Sequence, residues 1–455
     1  MTYRTPFPYP GDASACFAAI ADLPWAIWLD SAGRGRYDIL CAQPVATLLT
    51  HGNETIITNT EGQHRSDADP FELVWQQLGT AADPVPGIPF AGGAAGYWGY
   101  DLARRLTSLP QTAQDAEQLP EMAVGIYDWA VVIDHQEQTA QLVSHLRAQE
   151  TERVLPHIQA RLQQAGNPAP GDFKVHGEIR SNLARNAYKD AFAAVQRYLF
   201  EGDCYQVNLA RRYAARADGD AFLAYLELRR LSPAPYSAFL NLPHAQVLSS
   251  SPECFLQVRD GMVETRPIKG TRPRLPDPAE DARMAEDLSS HDKDRAENLM
   301  IVDLLRNDLG KSCVTGSVSV PQLFEVESYA NVHHLVSTVT GRLAADQDAL
   351  SLLRNCFPGG SITGAPKQRA MEIIEQLEPD RRGVYCGAIG YAGFDGGMDT
   401  SIAIRTLVHS DNEICFWAGG GIVADSVMAD EYQETLDKAS AMLKLLELFG
   451  GSREK

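Results

Sequence analysis

The stretch Asp294-Arg295-Ala296-Glu297-Asn298-Leu299-Met300-Ile301-Val302-Asp303-Leu304-Leu305-Arg306-Asn307-Asp308 has helical spacing and sets a carboxylate where an apolar face begins. Glu297 lies one turn before Ile301 and in line with Leu304, so it projects from a face that becomes apolar. The helix is expected to start near Ser290 and run to Leu309, with Gly310 as its left-handed C-cap. A second long helix reads from Asp430 to Leu448 and stops at Gly450; on it Glu431, Glu434 and Lys438 share a face with Ala441 and Leu445. A carboxylate on a burying face must be paired, protonated or bound to a metal. One such residue reads as a salt-bridged helix start. Two helices with matching carboxylates suit Mg²⁺, which keeps several waters and shares coordination with an anionic substrate.

Around these helices the elements follow a mixed order. Ala26–Leu29, Val45–Leu49 and Trp129–Ile133 read as strands, and Phe71–Leu78 and Glu152–Gln164 as helices. The run Ala165-Gly-Asn-Pro-Ala-Pro-Gly-Asp172 has the composition of a linker. Beyond it, Ser181 is placed to cap a helix that passes Tyr188 and Phe192 and stops at Gly202. Strands follow at Tyr205–Leu209, Gln246–Ser250 and Phe255–Val258, and glycine-rich strand ends crowd Gly383 to Gly421. There is no regular βαβ alternation and no short-period repeat, so the expected class is α+β.

Composition narrows the function. Forty Lys and Arg against 59 Asp and Glu leave a net charge of −19, which would repel a phosphate backbone and argues against nucleic acid as a partner. No apolar run approaches the roughly 20 residues of a membrane span, and Met1-Thr2-Tyr3-Arg4-Thr5-Pro6 lacks the layout of a signal peptide. Eight cysteines are scattered without a C-x-x-C pair, as expected for reduced, buried thiols in the cytoplasm. Gly359-Gly360-Ser361-Ile362-Thr363-Gly364 has P-loop glycine spacing, but Ala365 stands where the phosphate-binding lysine belongs. Gly92–Gly96 reads as a close-packed strand end, and His333-His334, taken alone, as core histidines without a third metal ligand. Arg405 offers a bidentate, permanently charged partner for a carboxylate, and Gly419-Gly420-Gly421 lets a backbone approach a ligand closely. With Lys438 and the paired glutamates, these residues point to a small multi-carboxylate anion as ligand.

Four motifs then resemble a known family. Pro267-Ile-Lys-Gly-Thr-Arg-Pro-Arg274, Ala296 to Asp308, Gly364-Ala-Pro-Lys367 and Glu434-Thr-Leu-Asp-Lys-Ala439 are similar to those of chorismate-utilising enzymes related to anthranilate synthase component I. Weaker similarity at Pro24–Ile27 and Gly92–Arg105 extends the resemblance over nearly the whole chain. It implies a large α+β unit with orthogonally packed β-sheets sandwiched between helices. An N-terminal region, 1–165, and a chorismate-binding catalytic region, 180–450, would be intertwined in it. It further implies Glu297 and Glu434 as Mg²⁺ ligands, and Tyr385 and Arg405 as holders of the enolpyruvyl carboxylate. Gly270, Thr271, Gly419, Gly420, Gly421 and Lys438 would line the ring and its carboxylate, with His334 near the ring. Glu253 would be the acid that assists departure of the C4 hydroxyl, its pKa raised by burial.

Lys269 separates the branches of the family. Members that aminate C4 of chorismate carry lysine in this motif, whereas anthranilate synthases usually carry alanine. The resemblance implies attack by Lys269 at C2 with loss of the C4 hydroxyl, then entry of ammonia at C4 to give 4-amino-4-deoxychorismate. Among Lys438 and Arg405, the lysine is expected to have a lowered pKa. Gln206 stands where the branch that activates water carries a lysine. No cysteine lies in a Gly-x-Cys-x-Gly elbow, so ammonia would come from a separate glutamine amidotransferase subunit. Ser31, Tyr37, Pro235 and Tyr236 match parts of the family's tryptophan pocket, although the Asp30–Tyr37 loop is short. Two other readings stay open on these residues: an anthranilate synthase with an atypical lysine, and a non-catalytic tryptophan-binding or scaffolding subunit.

Overall fold

The computed structural model describes residues 2–166, 171–328 and 332–453. Two large sheets form its centre. One runs from the Tyr3–Phe7 edge through Thr139–Ser144, Trp129–Asp134, Tyr37–Cys41 and Ala26–Asp30. It continues through Tyr236–Leu242, Ala245–Ser251, Thr406–Ser410, Glu413–Ile422, Gln206–Gly219 and Phe173–Ser181. The other orders Ile268–Pro273, Val332–Arg342, Met262–Arg266, Cys254–Arg259, Met398–Ile402, Ala388–Gly393, Gly93–Trp98, Met122–Tyr127 and Ala46–His51. Each sheet therefore crosses between the first third of the chain and the rest. Ile27 faces Leu240 in the first, and Gly96 faces Gly390 in the second, both in antiparallel register.

The two-residue period of the strands separates three apolar layers. Ile27, Ile39, Leu240 and Val247 of the first sheet share a buried cluster with Ala95, Tyr97, Ile389 and Tyr391 of the second. The alternate residues of the first sheet, Trp28, Phe239, Leu248 and Phe416, pack on Phe222, Tyr225, Met442 and Leu446 of two helices. The outer face of the second sheet, with Leu48, Val124, Leu256 and Met398, meets helical residues Phe71, Val302, Leu350 and Leu353. The result is two sheets face to face between helices, in keeping with the expected α+β class.

Most elements fall where apolar spacing places them: Pro70–Leu78, Gln149–Gln163 and Met428–Leu448 are helices, and Gly202 ends Arg185–Glu201 at φ +80°. Three boundaries differ. Ser181 does not cap the Arg185–Glu201 helix; it ends the Phe173–Ser181 strand, and its hydroxyl accepts from the Leu183 amide instead. The Asp292–Gly310 helix is preceded by a separate helix, Pro278–Ser290, and is capped by His291, whose Nδ1 accepts from the Asp294 amide. Gly310 stays within that helix rather than adopting the left-handed cap, because the chain continues in helical geometry at Lys311 (φ −73°). Residues 167–170 of the linker lie outside the described residues. All eight cysteines are free and buried, and among the described residues no helix is long and apolar enough to cross a membrane.

Lys367 and Arg382 tie the site's loops to this frame. Lys367 Nζ donates to Asp308 Oδ2 and to the Cys356 carbonyl, both at 2.7 Å, fastening the start of the Lys367–Leu377 helix to the Asp292–Gly310 helix and to the end of the Ala349–Cys356 helix. Arg382 pairs with Glu378 at 2.7 Å, both side chains 1% exposed, and lies over the rings of Tyr100 and Tyr385. Glu378 Oε1 also accepts from the Ala210 amide at 2.9 Å. Removing one partner of such a pair strands a buried charge, at a cost of about 3–5 kcal/mol. Glu378→Ala should therefore lower the urea unfolding midpoint strongly; a midpoint equal to wild type would show that the pair contributes nothing to stability.

Candidate active site

Both sheets contribute to one pocket. Gln206 and Gly419–Gly421 come from neighbouring strands of the first sheet, and Lys269, Gly270, Thr271 and His334 from neighbouring strands of the second. Glu253 and Arg405 sit at two of the places where the chain passes between the sheets. Glu253 lies between strands Ala245–Ser251 and Cys254–Arg259, and Arg405 between Met398–Ile402 and Thr406–Ser410. The crossings are bonded to each other, Ile402 amide to Glu253 carbonyl at 3.1 Å and Ser250 amide to Arg405 carbonyl at 3.0 Å. Arg405 has φ +50°, a left-handed conformation that costs a non-glycine residue about 1–3 kcal/mol and that the double crossing enforces.

The expected carboxylates converge on the glycine strand. A Cβ on Gly420 would lie 3.2 Å from Glu434 Oε1 and 3.4 Å from Glu431 Oε2, and one on Gly421 would lie 3.1 Å from Glu297 Oε1. Glycine is required here because a side chain would fill the space between the two helices' carboxylates. At Gly421 it would also come within 2.1 Å of Gln206 Nε2. Glu297 Oε1 accepts from Lys269 Nζ at 2.9 Å and Gln206 Nε2 at 2.8 Å. Glu434 pairs with Lys438 at 2.6 Å, and Lys438 also donates to the Gly419 carbonyl at 3.0 Å. Burial pushes Glu297 upward, but Lys269, Lys438 and Gln206 outweigh it and hold the carboxyl below its ordinary value. Lys438 does the same for Glu434. Glu431 is raised by burial and by Glu434, and accepts from Ser426 Oγ at 2.6 Å.

Lys269 departs from expectation. Burial lowers its pKa, but the Glu297 carboxylate at 2.9 Å, with Glu253 and Glu434 nearby, raises it above the ordinary lysine value. The cations Lys438 and Arg405 do not dominate its surroundings, because Glu297 lies in direct contact and they do not. Lys269 is accordingly an ammonium ion as long as Glu297 is its partner. Its Nζ also approaches the Ser361 carbonyl at 3.4 Å.

The remaining residues line the same space. Glu253 is raised by burial against the opposing pull of Ser361, Lys269, Lys438 and Arg405, and its Oε1 accepts from Ser361 Oγ at 2.8 Å. Arg405 has no ion pair among the described residues, and burial lowers its pKa. A buried guanidinium without a carboxylate is a ready partner for an anion. Thr271 Oγ1 lies 3.0 Å from His334 Nδ1, and burial with Arg405 lowers that imidazole to about 4, so it is neutral near pH 7. His333, by contrast, is a core histidine bonded to Ser328 Oγ at 2.8 Å and Asp281 at 3.0 Å. Gly270, at φ +74°, has no room for a side chain against Leu288 and Asp294. Tyr385 is buried and stacks on Trp417 with centroids 5.9 Å apart and planes 7° apart.

Ser361 was not among the residues singled out by sequence. The glycine run that fails as a P-loop is the turn beneath Glu253 and Lys269, and its failed motif was the only available signal. The Ser31, Tyr37, Pro235 and Tyr236 group lies elsewhere. A Cβ on Gly35 would sit 3.1 Å from Ser31 Cβ and 3.6 Å from the Pro235 carbonyl, so the two loops do meet. Beside them Asp30 Oδ2 accepts from Tyr225 and Arg229, both at 2.7 Å.

Glu297 and Glu434, one on each of two helices, both stand beside the Gly420–Gly421 backbone. Among the described residues no group of three or more His, Cys, Asp or Glu side chains is placed to hold a metal. Glu297 and Glu434 on facing helices fit an ion such as Mg²⁺ whose other ligands are water and substrate oxygen.

Comparisons with known proteins agree with this geometry. The chorismate binding enzyme family matches residues 25–444. Aminodeoxychorismate synthase component 1 of Escherichia coli K12 is 50% identical over 439 residues, which cover 95% of this chain and 95% of that protein. The protein of the same description from Klebsiella aerogenes is 50% identical over 445 residues, covering 96% and 97%. The crystal structure of anthranilate synthase component I from Streptococcus pneumoniae TIGR4 superposes with a TM-score of 0.79 at 33% identity, covering 90% of this chain and 92% of that one. With two sheets that both build the pocket and a match over nearly its whole length, the chain belongs to the chorismate binding enzyme family.

Proposed function

We propose that this protein is a cytoplasmic enzyme that aminates chorismate at C4, giving 4-amino-4-deoxychorismate for para-aminobenzoate and folate synthesis. Ammonia would come from a separate glutamine amidotransferase subunit. The observation that carries the reading is Lys269, an amine inside the pocket and in reach of Glu297, with Glu253 one residue's contact away through Ser361. The 50% identity to proteins described as aminodeoxychorismate synthase component 1 supports the same assignment, and the word component supports a partner subunit.

The chain's residues divide the work. Arg405 and Tyr385 hold the enolpyruvyl carboxylate, while Lys438, Thr271 and the Gly419–Gly421 backbone line the ring and its carboxylate. Glu253, whose carboxyl burial shifts toward the protonated form, gives its proton to the departing C4 hydroxyl, which leaves as water. Neutral Lys269 forms a bond to C2 as the C4–O bond breaks; ammonia then bonds to C4 and the lysine leaves C2 as an amine. His334, neutral, borders the ring. Glu297 and Glu434 would hold Mg²⁺, which when bound supplies a Lewis acid and a template for the ring carboxylate. The attack requires Lys269 as the free amine, the form that its burial favours and its contact with Glu297 opposes. Pyruvate stays on the product. A tryptophan pocket at Ser31, Tyr37, Pro235 and Tyr236 belongs to the same reading; its support is a buried Ser31 hydroxyl without a hydrogen-bond partner.

Incubation with chorismate, Mg²⁺ and ammonium should yield an amino compound that retains its pyruvyl group, identified by mass. Anthranilate with free pyruvate would overturn the assignment. Glu297→Gln and Glu434→Gln keep side-chain shape but each remove one charge, so both should need much more Mg²⁺ for half-maximal activity with little change in melting temperature. Activity unaffected at ordinary Mg²⁺ would remove those residues as ligands. Lys269→Ala should abolish C4 amination while chorismate still binds, and any residual product should be aminated at C2. Wild-type enzyme quenched with chorismate in the absence of ammonia should carry a mass adduct on the peptide containing Lys269. A Lys269→Ala variant making the C4 product at the wild-type rate would reduce the lysine to charge balance.

A further inference from the structure

Ser361 touches both groups that carry the proposed chemistry. Its hydroxyl donates to Glu253 Oε1 at 2.8 Å, and its carbonyl faces Lys269 Nζ at 3.4 Å. The residue is 8% exposed, and the hydroxyl has no other hydrogen-bond partner among the described residues. The short helical turn Gly360–Ile362 that carries it is held on every side. A Cβ on Gly360 would come within 2.4 Å of Leu304, Thr363 Oγ1 donates to the Gly359 carbonyl at 3.1 Å, and Arg382 Nη1 donates to the Ile362 carbonyl at 3.0 Å. A hydroxyl on so constrained a turn has a fixed direction.

We propose that Ser361 is a positioning residue of the reaction, setting the acidic proton of Glu253 on Oε2. The proposal rests on the C4-amination reading above. A neutral carboxyl has one carbonyl oxygen and one O–H. The proton donated by Ser361 makes Oε1 the acceptor, so the carboxyl proton belongs on Oε2, which has no hydrogen-bond partner among the described residues. In the step that follows, the Nζ lone pair forms the C2–N bond and the ring double bond shifts. The C4–O pair leaves with the Oε2 proton as water, so Glu253 gains the negative charge that nitrogen gives up.

The Ser361 bond also biases the protonation of Glu253. Burial raises this carboxyl; Ser361, Lys269, Lys438 and Arg405 each pull it down, and the nearby Cys386 thiol is pushed up to about 12 by burial and stays neutral. A general acid works below its pKa, so activity falls as pH rises through it. Without the Ser361 hydroxyl the carboxylate loses a donor, its pKa rises further, and the alkaline fall in kcat/KM moves to higher pH.

The test is the pH profile of C4 amination by Ser361→Ala and Ser361→Thr, with product identified by mass. Ser361→Ala should lose about 10- to 100-fold in kcat, the scale of a misplaced reacting group, with KM for chorismate nearly unchanged. Its alkaline limb should lie above the wild-type limb, and Ser361→Thr, which keeps the hydroxyl, should restore the wild-type position. A Ser361→Ala variant whose alkaline limb does not move overturns the proposal, whatever its rate, since a structural role changes rate without moving the limb. Glu253→Gln separates the two levels of the argument: if it aminates C4 at the wild-type rate, Glu253 is not the acid and the parent reading of that residue fails instead.

Discussion

The contact between Lys269 and Glu297 governs this pocket. Burial alone shifts a lysine downward by as much as about 3–5 pKa units, toward a free amine. Here a single carboxylate at 2.9 Å reverses that direction and keeps the nitrogen charged. The same carboxylate is one of two that converge on Gly420 and Gly421, where a cation would lie. Glu297 thus sets the charge on Lys269 while standing beside the glycine strand.

That contact requires a rigid frame, and the two sheets supply it. Lys269 and His334 stand on paired strands of one sheet, Gln206 and the triple glycine on paired strands of the other. Glu253 and Arg405 occupy the only kind of position that belongs to both sheets, the strand-to-strand crossings, and each crossing is bonded to the other. The strained backbone of Arg405 is held there, and its guanidinium is left without an ion pair. Outside the pocket, the Glu378–Arg382 and Asp308–Lys367 pairs fix the loops that carry Tyr385 and Ser361. Charge placement is thereby decided by strands and crossings, which move little, rather than by surface loops.

The overall charge of −19 fits this arrangement. The pocket gathers Lys269, Arg405 and Lys438 in a protein of net negative charge, so positive charge is concentrated where an anion would bind. The glutamates offset two of these cations, and Arg405 alone is left uncompensated.

Much of this was legible in the residues. Apolar periodicity placed the helices that carry Glu297 and Glu434, because burial of one face imposes a 3.6-residue period whatever the rest of the fold does. The scattered cysteines indicated free, buried thiols, and the glycine triplet indicated close approach of a backbone. Helix ends were less legible: His291 divides one expected helix start from a separate preceding helix, and Gly310 remains helical because the chain beyond it does not need to reverse. Three things were settled only by tertiary structure. The charge on Lys269 depends on Glu297, 28 residues away in sequence, being nearer than Lys438 or Arg405. The role of the Gly359–Gly364 turn depends on what lies above it, and there Ser361 meets Glu253 across 108 residues. The juxtaposition of Glu253 and Arg405 depends on two strand crossings meeting. Residue type and spacing determine which groups can carry charge and which faces are buried; the sign and direction of each charge's interaction fall off steeply with distance, and only the packed sheets fix those distances.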